Sequence, residues 1–147
     1  MTTVERTFSV QLPPHQVLDY LKDFANAEEW DPGTVKCTQT STGPVQVGSS
    51  WHNTSKIAGV TTELTYTLAE LTAERVVFRG SNDSATTEDT ITVRPAGNGT
   101  QLTYHAEINI SGVMGKLAAP ATKLLFEKLG RDTERQLTEV LNSRAAS

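Results

Sequence analysis

The sequence predicts an α+β domain: a curved antiparallel sheet of about seven strands around a long C-terminal helix, with two short helices after strand 1. Three observations predict it. From Val35 to Ile110 nearly every segment reads as a strand closed by a turn signal. After Gly112 the rhythm becomes helical, from Val113 to about Arg144. The turns between successive strands are short, which makes sequence neighbours antiparallel neighbours in the sheet. One helix cannot easily fill a wide curved sheet. The same pattern therefore predicts a hollow, of a size typical for ligand sites at ~300–1,000 Å³.

Each element follows from its own residues. Val4 to Leu12 alternates, with Val4, Arg6, Phe8 and Val10 on one side, as in a half-buried strand. Pro13-Pro14 ends it and can open a helix. Val17, Leu18, Leu21 and Phe24 then stand at helical spacing, and a second short piece, Ala25 to Trp30, stops at Asp31-Pro32-Gly33. Val35 to Thr42 is polar and is expected near an edge. Val47 to Lys56, Thr61 to Leu71, Arg75 to Arg79, Glu88 to Arg94 and Gln101 to Ile110 are the remaining strands. In the final segment Leu117, Ala121, Leu124, Leu125, Leu129, Leu137, Val140 and Leu141 form an apolar stripe. Pro120 should break or start that helix, leaving Val113 to Ala119 as a separate, lid-like turn. Gly130, costly in mid-helix, points to close packing or a slight bend.

Bulk properties narrow the function. The 147 residues fit one domain, 1–147, large enough for a core without staples. The formal charge is -4 with both signs mixed and no basic run, which argues against nucleic acid and anionic membrane surfaces. No stretch approaches the ~20 apolar residues of a membrane span. The N-terminus lacks the pattern of a secretory signal, and Cys37 is the only cysteine, so a reducing, cytoplasmic setting is expected. The sequons at Asn53, Asn82, Asn98 and Asn109 are then chance matches. Oligomeric state stays open between a monomer and a weak dimer.

Three stretches carry a family resemblance. Leu12-Pro13-Pro14-His15-Gln16-Val17-Leu18-Asp19-Tyr20-Leu21-Lys22-Asp23, followed by Asn26 and Trp30-Asp31-Pro32, is similar to a first helix with acidic-to-tryptophan spacing. Val47-Gly48-Ser49-Ser50-Trp51 is similar to a glycine-then-aromatic strand start. Asp89-Thr90-Ile91 through Gly99-Thr100-Gln101-Leu102-Thr103-Tyr104 is similar to a last hairpin. In order and spacing these resemble the helix-grip fold of the SRPBCC superfamily, in its polyketide cyclase/dehydrase-like branch, whose relatives include START domains and the major birch pollen allergen. The resemblance implies the fold far more specifically than the activity.

No standard catalytic signature is present. There is no G-x-S-x-G elbow, no G-x-G-x-x-G fingerprint and no phosphate loop at Gly112–Leu117. His15, His52 and His105 form no metal-ligand pair, and the two on strands alternate with Trp51 and Tyr104, so they should face solvent. No metal and no cofactor is expected. Glu28, Glu29 and Asp31 read as solvated charge around one buried ring, Trp30.

The candidate ligand-binding residues are those of the presumed inner face. They are Trp51 and Asn53; Leu64 and Tyr66; Phe78; Ile91; and Tyr104 and Ile108. Leu117, Ala121, Leu124, Leu125 and Lys128 would cover them from the helix, with the opening near Trp30, Met114 and Leu117. Asn53, Tyr66 and Tyr104 need hydrogen-bond partners if buried, and a ligand could supply them. Tyr66 and Tyr104 are the candidate proton donors. Asp89 and Glu63 are the nearest carboxylates, and both are expected to point outward.

The first functional reading is binding or carriage of a hydrophobic small molecule, lipid-like or polyketide-like, without turnover. The second, implied by the resemblance, is an aromatase/cyclase-type enzyme acting in the same cavity. The third is a protein-interaction or chaperone-activator module, which would need an exposed apolar patch.

Overall fold

The computed structural model describes residues 2–110 and 119–146, without the side chains of 119–122. The order is β1 (Thr2–Val10), α1 (Pro14–Leu21), a single 3-10 turn (Phe24–Asn26), α2 (Ala27–Trp30), β2 (Thr34–Gln39), β3 (Ser50–Ile57), β4 (Val60–Leu71), β5 (Arg75–Ser81), β6 (Ala85–Ala96), β7 (Gly99–Ile110) and α3 (Ala119–Ala146). The strands form one antiparallel sheet in the order β1-β7-β6-β5-β4-β3-β2. This is the expected architecture, and the polar strand β2 does lie at an edge.

Boundaries differ where turn geometry outweighs composition. β3 begins at Ser50 rather than Val47, because Gly48 turns the chain at φ 98. β6 begins at Ala85 rather than Glu88, drawn on by its pairing with β7. Pro120 stands in the first turn of α3, where its missing N–H costs nothing. The expected lid-like turn from Val113 falls mainly on residues 111–118, outside those described.

Register fixes what faces the interior. One row across the sheet runs Leu68, Phe78, Asp89, Ala106 and Val4, and each of these residues is buried. A second row runs Trp51, Tyr66, Gly80, Thr87 and Ile108.

Two bodies cover the inner face. At one end Phe24 packs its ring against Tyr66 at 4.3 Å and Phe78 at 4.5 Å between centroids, with Trp30 and Trp51 edge-on at 6.1 and 6.2 Å. Asp23 secures this cluster by accepting from the Trp51 indole N–H at 3.2 Å and the Ala25 N–H at 3.1 Å. At the other end α3 crosses β1. Leu137 and Leu141 are fully buried, Arg6 Nε pairs with Glu134 Oε1 at 3.0 Å, and the Arg144 guanidinium lies 4.6 Å from the Tyr20 ring centre. Arg6 reaches α3 because it shares the inner face with Val4.

Gly130 sets how closely the helix approaches. A Cβ there would stand 2.6 Å from Val4 Cγ1. The glycine is thus a packing requirement, as its position in the helix suggests. Gly130→Val should lower stability by about 1–3 kcal/mol through overpacking. A fall in the urea midpoint with an unchanged slope would register it.

Candidate functional site

Between the sheet and the first half of described α3 lies a cavity of about 290 Å³, roughly ten water volumes at ~30 Å³ each. Its walls are apolar. β3 and β4 give Ile57, Val60 and Leu64; β7 gives Ala106, Ile108 and Ile110; α3 gives Leu125, Phe126 and Leu129. Val60 and Ile110 are also exposed, so the mouth lies beside the β3–β4 turn and the end of β7. The expected opening near Trp30 is wrong. That ring is 1% exposed and packs into the aromatic cluster. Met114 and Leu117, the other two rim candidates, lie outside the described residues, as does the Ala121 side chain.

The inner end is polar. Asp31, Ser55, Tyr66, Thr87, Asp89 and Tyr104 all line it. Asp89 corrects the sequence reading, which turned it outward. It stands two residues before Ile91 and four before Val93, on the same face of β6, and is buried beside Phe78 and Ala106. Glu63 does face outward, bonded to His52 Nε2 at 2.9 Å. His105 also lies on the outer side, between Glu5 and Glu107.

Burial pushes the Asp89 carboxyl up to about 7, helped by the charge of Asp31 and opposed by the facing Tyr104 hydroxyl. Asp31 is raised too, again by burial, although the Thr34 hydroxyl and Gly33 N–H favour its ionised form. Asp31 is only partly buried and lines the cavity. The phenols of Tyr66 and Tyr104 are held neutral, first by burial and then by the charge of Asp89.

A relay of side chains fixes Asp31. The Ser55 hydroxyl donates to Asn53 Oδ1 at 2.6 Å, Asn53 Nδ2 donates to Thr34 Oγ1 at 3.0 Å, and Thr34 donates to Asp31 Oδ2 at 2.6 Å. Asn53 therefore finds its partners in the protein and does not line the cavity. The acidic residues around Trp30 are likewise not idle charge. Glu28 accepts from the Cys37 N–H, Glu29 accepts from the Tyr20 hydroxyl, and Asp31 enters the site.

Tyr66 owes its position to Gly80, its cross-strand partner. A Cβ at Gly80 would stand 2.6 Å from the Tyr66 ring and 2.8 Å from Thr87 Oγ1. Thr87 Oγ1 lies beside the Tyr66 hydroxyl, near enough to ease its ionisation, but the two do not align into a hydrogen bond.

Of the sequence-derived residues, Leu64, Tyr66, Tyr104, Ile108 and Leu125 meet in the cavity. Trp30, Trp51, Phe78 and Ile91 are buried in the core instead, because the 3-10 turn and α2 fill that end of the sheet. Leu124 is 69% exposed and Lys128 turns out to Asp132. The inward face of α3 runs through Phe126, Gly130, Thr133, Leu137 and Leu141. Its small and polar members, Gly130 and Thr133, interrupt the apolar pattern. Among the described residues no group of histidines, cysteines and carboxylates is placed to hold a metal.

The family model described as polyketide cyclase / dehydrase and lipid transport matches residues 1–141. The chain belongs to this polyketide cyclase/dehydrase and lipid transport family. Solved structures share its fold. TTHA0849 from Thermus thermophilus superposes with a TM-score of 0.83 at 15% identity, over 99% of this chain and 100% of that one. The Zhui aromatase/cyclase from Streptomyces sp. R1128 gives 0.82 at 16% identity, over 98% and 95%. A START superfamily protein from Mycobacterium smegmatis gives 0.73 at 17%, over 97% and 95%. No curated protein matches the chain by sequence. Among the described residues no helix of this family member is long and apolar enough to cross a membrane.

The acid floor has a measurable cost. An unfolded Asp89 ionises near 3.8 and the folded one near 7. Between these values the folded state holds a proton that the unfolded state has lost, so raising the pH through this window removes stability. Asp89→Asn should remove that pH dependence and be more stable than the wild type above pH 7, by on the order of 2 kcal/mol. Urea melts of both proteins across the window would show it.

Proposed function

We propose that the protein binds a hydrophobic small molecule in this cavity, with its apolar body against β4, β7 and α3 and its polar end at the acid floor. The observation that carries the reading is one cavity with apolar walls and a buried polar end. Burial of apolar ligand surface would contribute ~25 cal/mol per Å². The family description, with its lipid transport, supports the same class of ligand.

Butylbenzene is a suitable first probe, being apolar and uncharged. It should bind in a saturable way and shift the resonances of Leu64, Ile108 and Leu129. Leu129→Trp, which fills the cavity from α3, should weaken that binding at least about tenfold, since displaced volume cannot be recovered elsewhere in a packed interior. Unchanged affinity in this variant would contradict the reading.

A second reading is favoured by one specific observation. The Asp89 carboxyl, poised near 7, faces the neutral phenol of Tyr104 at the floor of the cavity. A carboxyl so poised can take or give a proton at neutral pH, and the phenol can donate to a carbonyl oxygen. That is the equipment of a cyclase- or dehydratase-like enzyme acting on a carbonyl-bearing ligand, and the Zhui protein is named an aromatase/cyclase. If turnover of such a substrate is found, Asp89→Asn should lower kcat by about 10²–10⁴-fold. The pH profile should also lose its limb near 7. Full activity in that variant would exclude this assignment.

A further inference from the structure

We propose that the cavity selects ligands whose polar end is a cationic amine, seated between Asp89 and Asp31, and turns carboxylates away. This deepens the binding reading above and rests on it.

Charge of one sign dominates the floor. Two carboxyls line the cavity, and among the described residues no arginine, lysine or histidine does. Groups facing Asp89 come from several elements. Asp31 approaches from the segment after α2, and the phenols are Tyr66 of β4 and Tyr104 of β7; Glu88, next to it on β6, points to the outer face and pairs with Arg79. The lining residues of β1, β3 and α3 add no charge. A carboxylate ligand would find no cationic partner among the described lining residues, and would meet like charge wherever Asp89 or Asp31 is ionised.

The donor and acceptor balance points the same way. Tyr66 is more than nine-tenths buried and lines the cavity, and no described residue makes a well-aligned hydrogen bond to its hydroxyl. Thr87 Oγ1 beside it is also unpartnered. An ammonium group brings three donors and no acceptor. It fits a floor of two carboxyls and two hydroxyl oxygens better than an ester, ketone or carboxylate, which bring acceptors only. Tyr rings around the seat would add attraction for a cation. Burial favours the neutral carboxyl of Asp89 and raises the pKa of Asp31, and this cost is offset once the counter-charge arrives.

The test uses four probes of similar body: butylbenzene, phenylbutanol, phenylbutylamine and phenylbutyrate. Their dissociation constants would be measured on the whole protein by calorimetry at about pH 6 and about pH 8. The amine should bind at least about tenfold more tightly than the alcohol, and phenylbutyrate should bind most weakly. Amine affinity should rise between the two pH values as Asp89 ionises, with proton release visible as a buffer-dependent enthalpy. Asp89→Asn, and independently Asp31→Asn, should shrink the advantage of the amine over the alcohol. Equal affinity of amine and alcohol, or tighter binding of phenylbutyrate, would overturn this proposal while leaving the cavity reading in place. Failure of all four probes to bind would overturn both.

Discussion

The contact of Gly130 with Val4 governs the rest of the molecule. It sets the depth at which α3 rests on β1, and Leu137, Leu141 and the Arg6–Glu134 pair hold the helix there. A side chain at position 130 would lift the helix. With the glycine, the second half of α3 lies tight on the sheet while its first half spans the curve of β3, β4 and β7 without filling it. Closely packed interiors tolerate few voids larger than a water molecule. A cavity of about 290 Å³ is therefore a departure from that density, made possible by having one helix for seven strands.

The other end of the sheet shows what filling looks like. Phe24, Trp30, Trp51 and Phe78 interlock there, and Asp23 ties the Trp51 indole to the start of the 3-10 turn. Tyr66 and Tyr104 stand at the boundary, each with one face on this cluster and a place in the cavity wall. The aromatic body thus acts as a rigid back wall. Gly80 completes it by leaving room for the Tyr66 ring. Against this wall the chain places Asp89 from β6 and Asp31 through a relay that begins at Ser55 on β3. Asp89, Tyr66 and Tyr104 stand on regular strands, and Asp31, in the turn after α2, is tied to β2 and β3 by the relay.

Much of this was legible in the residues. Alternation and turn signals gave all seven strands, the polar edge strand and the terminal helix, because both periods are strong over long stretches. Inward faces were right for Trp51, Tyr66, Phe78, Ile91 and Tyr104. Which part of the interior each would reach was not legible, since that depends on where the 3-10 turn and α2 pack. Asp89 is a different case. Its parity with Ile91 and Val93 places it inside, so the outward expectation misapplied the alternation of its own strand. A charged residue that keeps an inward position in a regular strand breaks a local rule, and such breaks concentrate at functional sites. Asp31 carried a weaker signal. Thr34 stands three residues on, at the spacing for a side-chain turn, but nothing in the sequence says that this turn opens into the cavity. Leu124 followed the helical period and still faces out, because the inward stripe of α3 shifts onto Phe126 and Gly130.

An ionisable floor beneath apolar walls is what both functional readings require. A carbon-13 NMR titration of the Asp89 side-chain carboxyl, assigned by comparison with Asp89→Asn, addresses it directly. A midpoint near 7 is expected, with resonances of Tyr104 and Ile108 moving in step. A midpoint near 3.8, the ordinary value of an aspartate in water, would contradict it.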